Sequence, residues 1–207
     1  TYIMDTLQLL DALAVDTFSI VGTSMGGLMA MGISALAPSR LNRVVLNDIG
    51  PVIAAQGLER IKSSVGSKMQ FPDWATAAEH LAQVNSTAFP HYFSEDWLRF
   101  AARACSQNSS EVTLDYDPNI TAALSSATSG LRPEDLWALF DTLISTPALL
   151  IRGALSDLLD SSCAEDMQRR HGAMEFLEVP GVGHAPMLDE SGVSAVIIKF
   201  LSLPVGH

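Results

Sequence analysis

An apolar run, Phe18-Ser19-Ile20-Val21, passes through Gly22-Thr23-Ser24-Met25-Gly26-Gly27 into a stretch of small and apolar residues from Leu28 to Ala37. When a strand turns into a helix over a single residue, that residue is held in a strained conformation with its side chain exposed at the corner. Gly22 and Gly26 stand two positions either side of Ser24, where the absence of a Cβ lets neighbouring backbone approach. The corner constrains the fold, which must place a helix directly after a buried strand. It also constrains the chemistry: Ser24 is presented as a nucleophile, and the Met25 N–H at the positive end of the helix is a donor for a developing oxyanion. The same glycine-serine pattern without its flanking elements would describe a turn capping an ordinary helix, so context separates the two readings.

The rest of the chain alternates strand and helix, with one long interruption. The apolar spacing predicts helices over Tyr2 to Leu13, Leu28 to Ala37, Ser162 to Arg170 and Val193 to Leu201. Short buried strands are predicted over Phe18 to Val21, Arg43 to Asn47, Ala148 to Ile151 and Met174 to Val179, the first two parallel and interior. This order implies right-handed crossovers and a mostly parallel sheet flanked by helices, an α/β fold. Between Pro51 and about Thr146 the strand pattern disappears. That stretch carries Trp74, Trp97 and Trp137, with Phe71, Phe89, Phe93, Phe100 and Phe140, and has helical segments at Trp74 to Val84, Ser94 to Cys105 and Pro133 to Thr142. It reads as a helical lobe, 51–146, inserted into a core made of 1–50 and 147–207. Its aromatics individually read as packing for the lobe and collectively offer an apolar lining.

A nucleophilic serine needs a base. His184 lies in Gly181-Val182-Gly183-His184-Ala185-Pro186, just after a predicted strand, and so belongs to a loop at the carboxyl edge of the sheet, where open α/β proteins hold their ligands. His80 and His91 fall in the helical lobe, His171 at a helix end and His207 at the terminus, all with ordinary structural readings. The acid that orients the base is Asp157, on the loop after Ala148 to Ile151, or Asp48, just past Arg43 to Asn47. Asp157 is preferred, with Asp48 the rival and Asp160 a weaker substitute, although each of these also suits a turn or a helix cap.

Three blocks together make the sequence resemble a capped α/β-hydrolase, the group that includes carboxylesterases, acyltransferase-like hydrolases, serine-dependent carbon-carbon bond hydrolases and cofactor-free haloperoxidase-like esterases. They are Phe18 to Gly27, then Leu149-Leu150-Ile151-Arg152-Gly153 with Ser156-Asp157, then Gly183-His184-Ala185-Pro186. The resemblance implies Ser24 as nucleophile, Asp157 as acid and His184 as base, in the chain order expected of the fold. It also implies that 51–146 is a cap shaping the acyl or alcohol pocket, and the roles of these residues give an acyl-enzyme route on a moderately apolar small-molecule acyl substrate, read here as ester cleavage. A serine nucleophile does not separate this from thioester or amide cleavage. Carbon-carbon bond hydrolysis is the nearest rival, and a noncatalytic binding protein of the same fold is the alternative from outside enzymology. Thr23 departs from the histidine common in relatives. The chain also opens directly into a helix, where relatives have earlier strands and a glycine-containing loop carrying the second oxyanion donor. The exposed strand edge this leaves implies a missing N-terminal segment or self-association.

Composition narrows the setting. The 207 residues are 48% hydrophobic, enough for one sizeable core. A formal charge of -11 offers no basic patch for a nucleic-acid partner. Cys105 and Cys163 match no metal or redox spacing and read as two free thiols in a reducing compartment rather than a disulfide. The serine mechanism needs neither a metal nor an organic cofactor, and no Cys, His, Asp or Glu spacing suggests one. No run of about 18 apolar residues suggests a membrane span, and the absence of an export signal makes a cytoplasmic location the default expectation.

Overall fold

In the computed structural model, which describes residues 2–64, 69–108, 110–117, 120 and 132–203, the chain divides into two compact units. The first comprises Thr1–Ala54 with Arg132–His207 and the second Ala55–Leu131. His207 lies outside the described residues.

The first unit runs α1 (Tyr2–Ala12), β1 (Phe18–Thr23), α2 (Met25–Leu36), a 3-10 turn (Pro38–Arg40) and β2 (Leu41–Asn47). Its second stretch adds α6 (Pro133–Asp141), β6 (Ala148–Gly153), α7 (Ser161–His171), β7 (Glu175–Val179) and α8 (Val193–Ser202). The sheet has the order β1-β2-β6-β7, all parallel. Every residue of β6 is buried, and β2 is buried along all but Asn42, as in strands covered on two faces; the continuous apolar parts are Ala148 to Ile151 and Val44 to Leu46. The apolar run of β1 reads as an interior strand, but among the described residues β1 pairs with β2 alone and lies at the exposed edge also anticipated above, with Val21 44% exposed.

Side chains alternate across these strands. Val44, Leu46, Ala148 and Leu150 join Ala30 and Met31 of α2, Phe140 of α6, and Cys163, Ala164 and Met167 of α7 in one core cluster. Arg43 and Val45 have the other parity. Arg43 is buried, stacks its guanidinium 5.4 Å from the centre of the Phe200 ring and donates to the Leu203 carbonyl, which fastens the end of α8 to the start of β2. Phe140 is wholly buried in this cluster, so α6, expected within the inserted lobe, belongs to the sheet-bearing unit. α2 ends at Leu36 because Pro38 follows, and α7 ends on Gly172 in the left-handed region at φ 76°.

The second unit holds α3 (Ala55–Ser64), β3 (Gln70–Phe71), α4 (Trp74–Asn85), α5 (Ser94–Ala104), β4 (Cys105–Asn108) and β5 (Glu111–Leu114). The three strands form an antiparallel sheet in the order β3-β5-β4, so the segment is not purely helical as expected. These strands are two to four residues long and β4 reads Cys-Ser-Gln-Asn, too short and polar for hydrophobic alternation to reveal. Asp73 caps α4 by accepting the Thr76 N–H at 2.8 Å, and this bond holds its carboxyl below the ordinary value. Phe89, Tyr92, Trp97 and Phe100 pack ring on ring at centroid separations of 4.7 to 6.1 Å, mostly edge-on or tilted, within this unit.

Among the described residues, no helix is long and apolar enough to cross a membrane.

Candidate active site

Ser24 sits between β1 and α2 with φ 52° and ψ -116°, a conformation that non-glycine residues rarely adopt and that costs about 1–3 kcal/mol. Neighbouring backbone holds it there: its N–H donates to the Asn47 carbonyl at 3.0 Å, and its own carbonyl receives the Gly27 N–H at 2.9 Å. Close approach accounts for one of the two flanking glycines. A Cβ on Gly22 would lie 2.5 Å from the Gly26 carbonyl oxygen, whereas one on Gly26 would meet nothing within 4 Å. Met25 is the first residue of α2, so its N–H belongs to the turn that has no partner within the helix.

His184 reaches Ser24 from the loop after β7. That loop crosses the end of β6 at Gly153, where a Cβ would lie 2.6 Å from the carbonyl oxygens of Val182 and Gly183, and the Leu155 N–H donates to Val182 O at 2.9 Å. The ring orientation follows from its partners. Nδ1 faces only acceptors, Asp48 Oδ2 at 2.9 Å and Asp48 O at 3.1 Å, so it carries the proton. Nε2 is left to accept from the Ser24 hydroxyl at 3.0 Å.

The carboxylate on His184 is therefore Asp48, the rival, and not the preferred Asp157. The single Nδ1 proton has one direction, and Asp48 occupies it. Sheet order supplies the reason. β2 lies between β1 and β6, with Asn47 in register with both Thr23 and Ile151, so the next residue stands between the ends of the two neighbouring strands. Asp48 has φ 57° and is fully buried, with its N–H bonded to Ile151 O at 2.8 Å. Asp157 lies four positions beyond the end of β6, and Asp160 stands at the N-cap of α7. The expected order of serine, acid and histidine does not discriminate, because 24, 48, 184 satisfies it as well as 24, 157, 184 does.

Two polar residues near this line carry no sequence signal of the usual kind. Ser156 donates to Asp48 Oδ2 at 2.6 Å, while the Gly153 N–H donates to Oδ1 at 2.8 Å. Asn47 is completely buried, and its side-chain amide donates to Thr23 Oγ1 at 3.0 Å and to Pro186 O at 2.9 Å. A polar residue closing a buried apolar strand was the available clue to Asn47. Among the other histidines, His171 is buried and its Nε2–H points at the carbonyls of Leu143 and Thr146, at 3.1 and 3.0 Å. His80 packs on the Phe71 ring, and His91 is exposed. Among the described residues, no group of three or more His, Cys, Asp or Glu side chains is arranged to hold a metal ion.

The profile of the alpha/beta hydrolase family matches residues 2–196, and this chain belongs to that family. It is 31% identical over 208 residues to a 3-hydroxybutyrate-oligomer hydrolase of Cupriavidus necator, covering 97% of this chain and 70% of the relative. Among solved structures, an alpha/beta hydrolase from Novosphingobium aromaticivorans superposes with a TM-score of 0.88 at 38% identity, covering 97% of this chain and 70% of that one. A structure described as a putative hydrolase from Rickettsia typhi gives 0.81 at 28% identity, covering 97% and 68%. An esterase from Mycobacterium tuberculosis shares the fold at a TM-score of 0.67 and 22% identity, covering 95% and 64%.

Proposed function

We propose that this chain is a serine hydrolase that cleaves carboxylic esters through an acyl-enzyme, with Ser24 as nucleophile, His184 as base and Asp48 as the acid. The observation that carries the reading is the unbroken line from Ser24 Oγ to His184 Nε2 at 3.0 Å and from His184 Nδ1 to Asp48 Oδ2 at 2.9 Å. These distances suit proton transfer without rearrangement.

Each group then has a role. His184 Nε2 takes the proton as Ser24 Oγ bonds to the ester carbonyl carbon. The Met25 N–H, with the positive end of α2 behind it, donates to the oxygen that becomes negative. The carbon–oxygen bond to the alcohol breaks, and the alcohol leaves with the proton from Nε2. Water then attacks the acyl-serine, gives a proton to Nε2, and the acid departs as that proton returns to Ser24. Asp48 keeps the proton on Nδ1 and balances the charge of the imidazolium. The relative's name supports an ester substrate, since hydroxybutyrate oligomers are joined by ester bonds, and it directs attention to short hydroxyacid oligomers as acyl substrates.

The test is intact-mass analysis of the full chain with a fluorophosphonate probe, paired with assays on short acyl esters and a 3-hydroxybutyrate trimer. The expected result is one adduct and measurable turnover, both absent in Ser24→Ala. A folded parent with neither adduct nor turnover would overturn the reading and leave a binding protein of hydrolase fold. Turnover confined to carbon-carbon substrates would transfer the same machinery to that reaction.

A further inference from the structure

The buried carboxylate of Asp48 is held from two sides, and the second holder has a hydroxyl with only one direction open to it. Ser156 lies three residues past the end of β6. Its Oγ accepts the N–H of Leu159 at 3.0 Å and that of Leu158 at 3.3 Å. A serine oxygen has two acceptor sites and one proton. With both acceptor sites engaged by backbone, the proton points at Asp48 Oδ2, 2.6 Å away. That oxygen is also the one that receives the His184 Nδ1–H.

The other carboxylate oxygen has its own anchor, the Gly153 N–H. Without Ser156 the carboxylate would be held by this anchor on Oδ1 and by the imidazole it is to orient, and its plane could swing together with that ring, because the terminal torsion of an aspartate is broad. A second donor on Oδ2 removes that freedom. It also satisfies a further acceptor site of a carboxyl group that is fully buried.

We infer that Ser156 is a positioning residue for the reaction proposed above: its directed hydroxyl sets the plane of the Asp48 carboxylate and thereby aims the His184 imidazole at Ser24. The inference rests on the serine-hydrolase reading. The competing role is that of a turn residue which only satisfies the amides of Leu158 and Leu159. Under that role, losing the hydroxyl loosens the loop and leaves the bond between imidazole and carboxylate as it was.

The experiment compares Ser156→Ala, Ser156→Thr and Asp48→Asn in the full chain, reading kcat and KM on a turned-over ester, thermal melting, and the low-field proton resonance of the His184 Nδ1–H. For Ser156→Ala the expected result is a loss in kcat of ~10-fold or more with KM held within about twofold, as misaimed catalytic groups produce. The Nδ1–H resonance shifts or broadens. Ser156→Thr, which retains a hydroxyl on the same carbon, restores both. If Ser156→Ala melts too low to assay, Ser156→Cys, whose thiol is a weak donor, is expected to show the same pattern in kcat and in the resonance. An unmoved resonance with kcat within about twofold of the parent would overturn the inference while Asp48→Asn is inactive. Equal losses in Ala and Thr would do so too. Full activity in Asp48→Asn would be a different failure, removing the acid assignment and this inference with it.

Discussion

The side-chain amide of Asn47 donates to the carbonyl of Pro186 at 2.9 Å, joining the end of a central strand to the loop two residues past the imidazole. The same amide bonds Thr23, the residue before the nucleophile, so one buried group ties together both halves of the line between Ser24 and His184. Asn47→Ala is expected to leave the Pro186 carbonyl without this donor, at a cost of about 1–3 kcal/mol in stability. Denaturant unfolding measures it. Ester turnover should fall by more than the folded fraction alone explains.

The identity of the acid is open to a direct comparison. Asp48→Asn is expected to lower kcat by about 10^4-fold, because an amide in that position favours the wrong imidazole tautomer. Asp157→Asn should stay within about tenfold of the parent, since Nδ1 already has its partner in Asp48. Steady-state kinetics on the two purified variants decides it, and the reverse ranking would return the role to Asp157.

The two glycines flanking Ser24 are unequal. Gly22→Ala places a methyl 2.5 Å from backbone oxygen and 2.7 Å from backbone nitrogen, neither of which is a flexible side chain. That substitution is expected to destabilise by about 1–3 kcal/mol or more and to suppress labelling of Ser24. Gly26→Ala meets open space and should fold normally, gaining stability from the helix preference of alanine by up to ~1 kcal/mol. Melting temperatures and probe labelling of both variants test the contrast.

Phe140 is 0% exposed and packs in the core cluster with Trp137 edge-on against it at 5.6 Å. Phe140→Ala should cost about 3–5 kcal/mol through lost burial and the cavity left behind. Chemical denaturation gives the number, and a loss near zero would mean that α6 does not contribute to this core.

Burial pushes the Cys163 thiol above its ordinary value of 9.0, and the carboxylates of Asp166 and Asp160 push it the same way. In the unfolded chain the thiol ionises near that ordinary value. Its contribution to stability is therefore intact below it and falls as the pH rises past it. Alkylation in the native protein at pH 8 is expected to be slower than in denaturant, because the thiolate is the reactive form and the buried thiol is shielded from the reagent. Mass spectrometry of a timed alkylation series checks it.

Much of the sheet-bearing unit was legible because its signals are local. The turn at Ser24 is a strand, a strained corner and a helix within a few residues, and buried strands such as 148–153 announce themselves as apolar runs. The strands of the second unit were not legible: at two to four residues they are shorter than any window over which alternation can be counted. The place of α6 was likewise invisible, since an amphipathic helix shows that it has an apolar face but not which surface that face meets.

The sequence by itself determined the class of fold, the serine at the corner and the histidine on a glycine-rich loop, because each depends on neighbours in the chain. Only the tertiary structure decided which aspartate meets that histidine. Asp48 and Asp157 both follow parallel strands and look alike in sequence, and the choice depends on strand order, which sets β2 between β1 and β6 and brings its first residue past the sheet to the imidazole. Strand order is a property of long-range pairing, and no short-range pattern of residues encodes it.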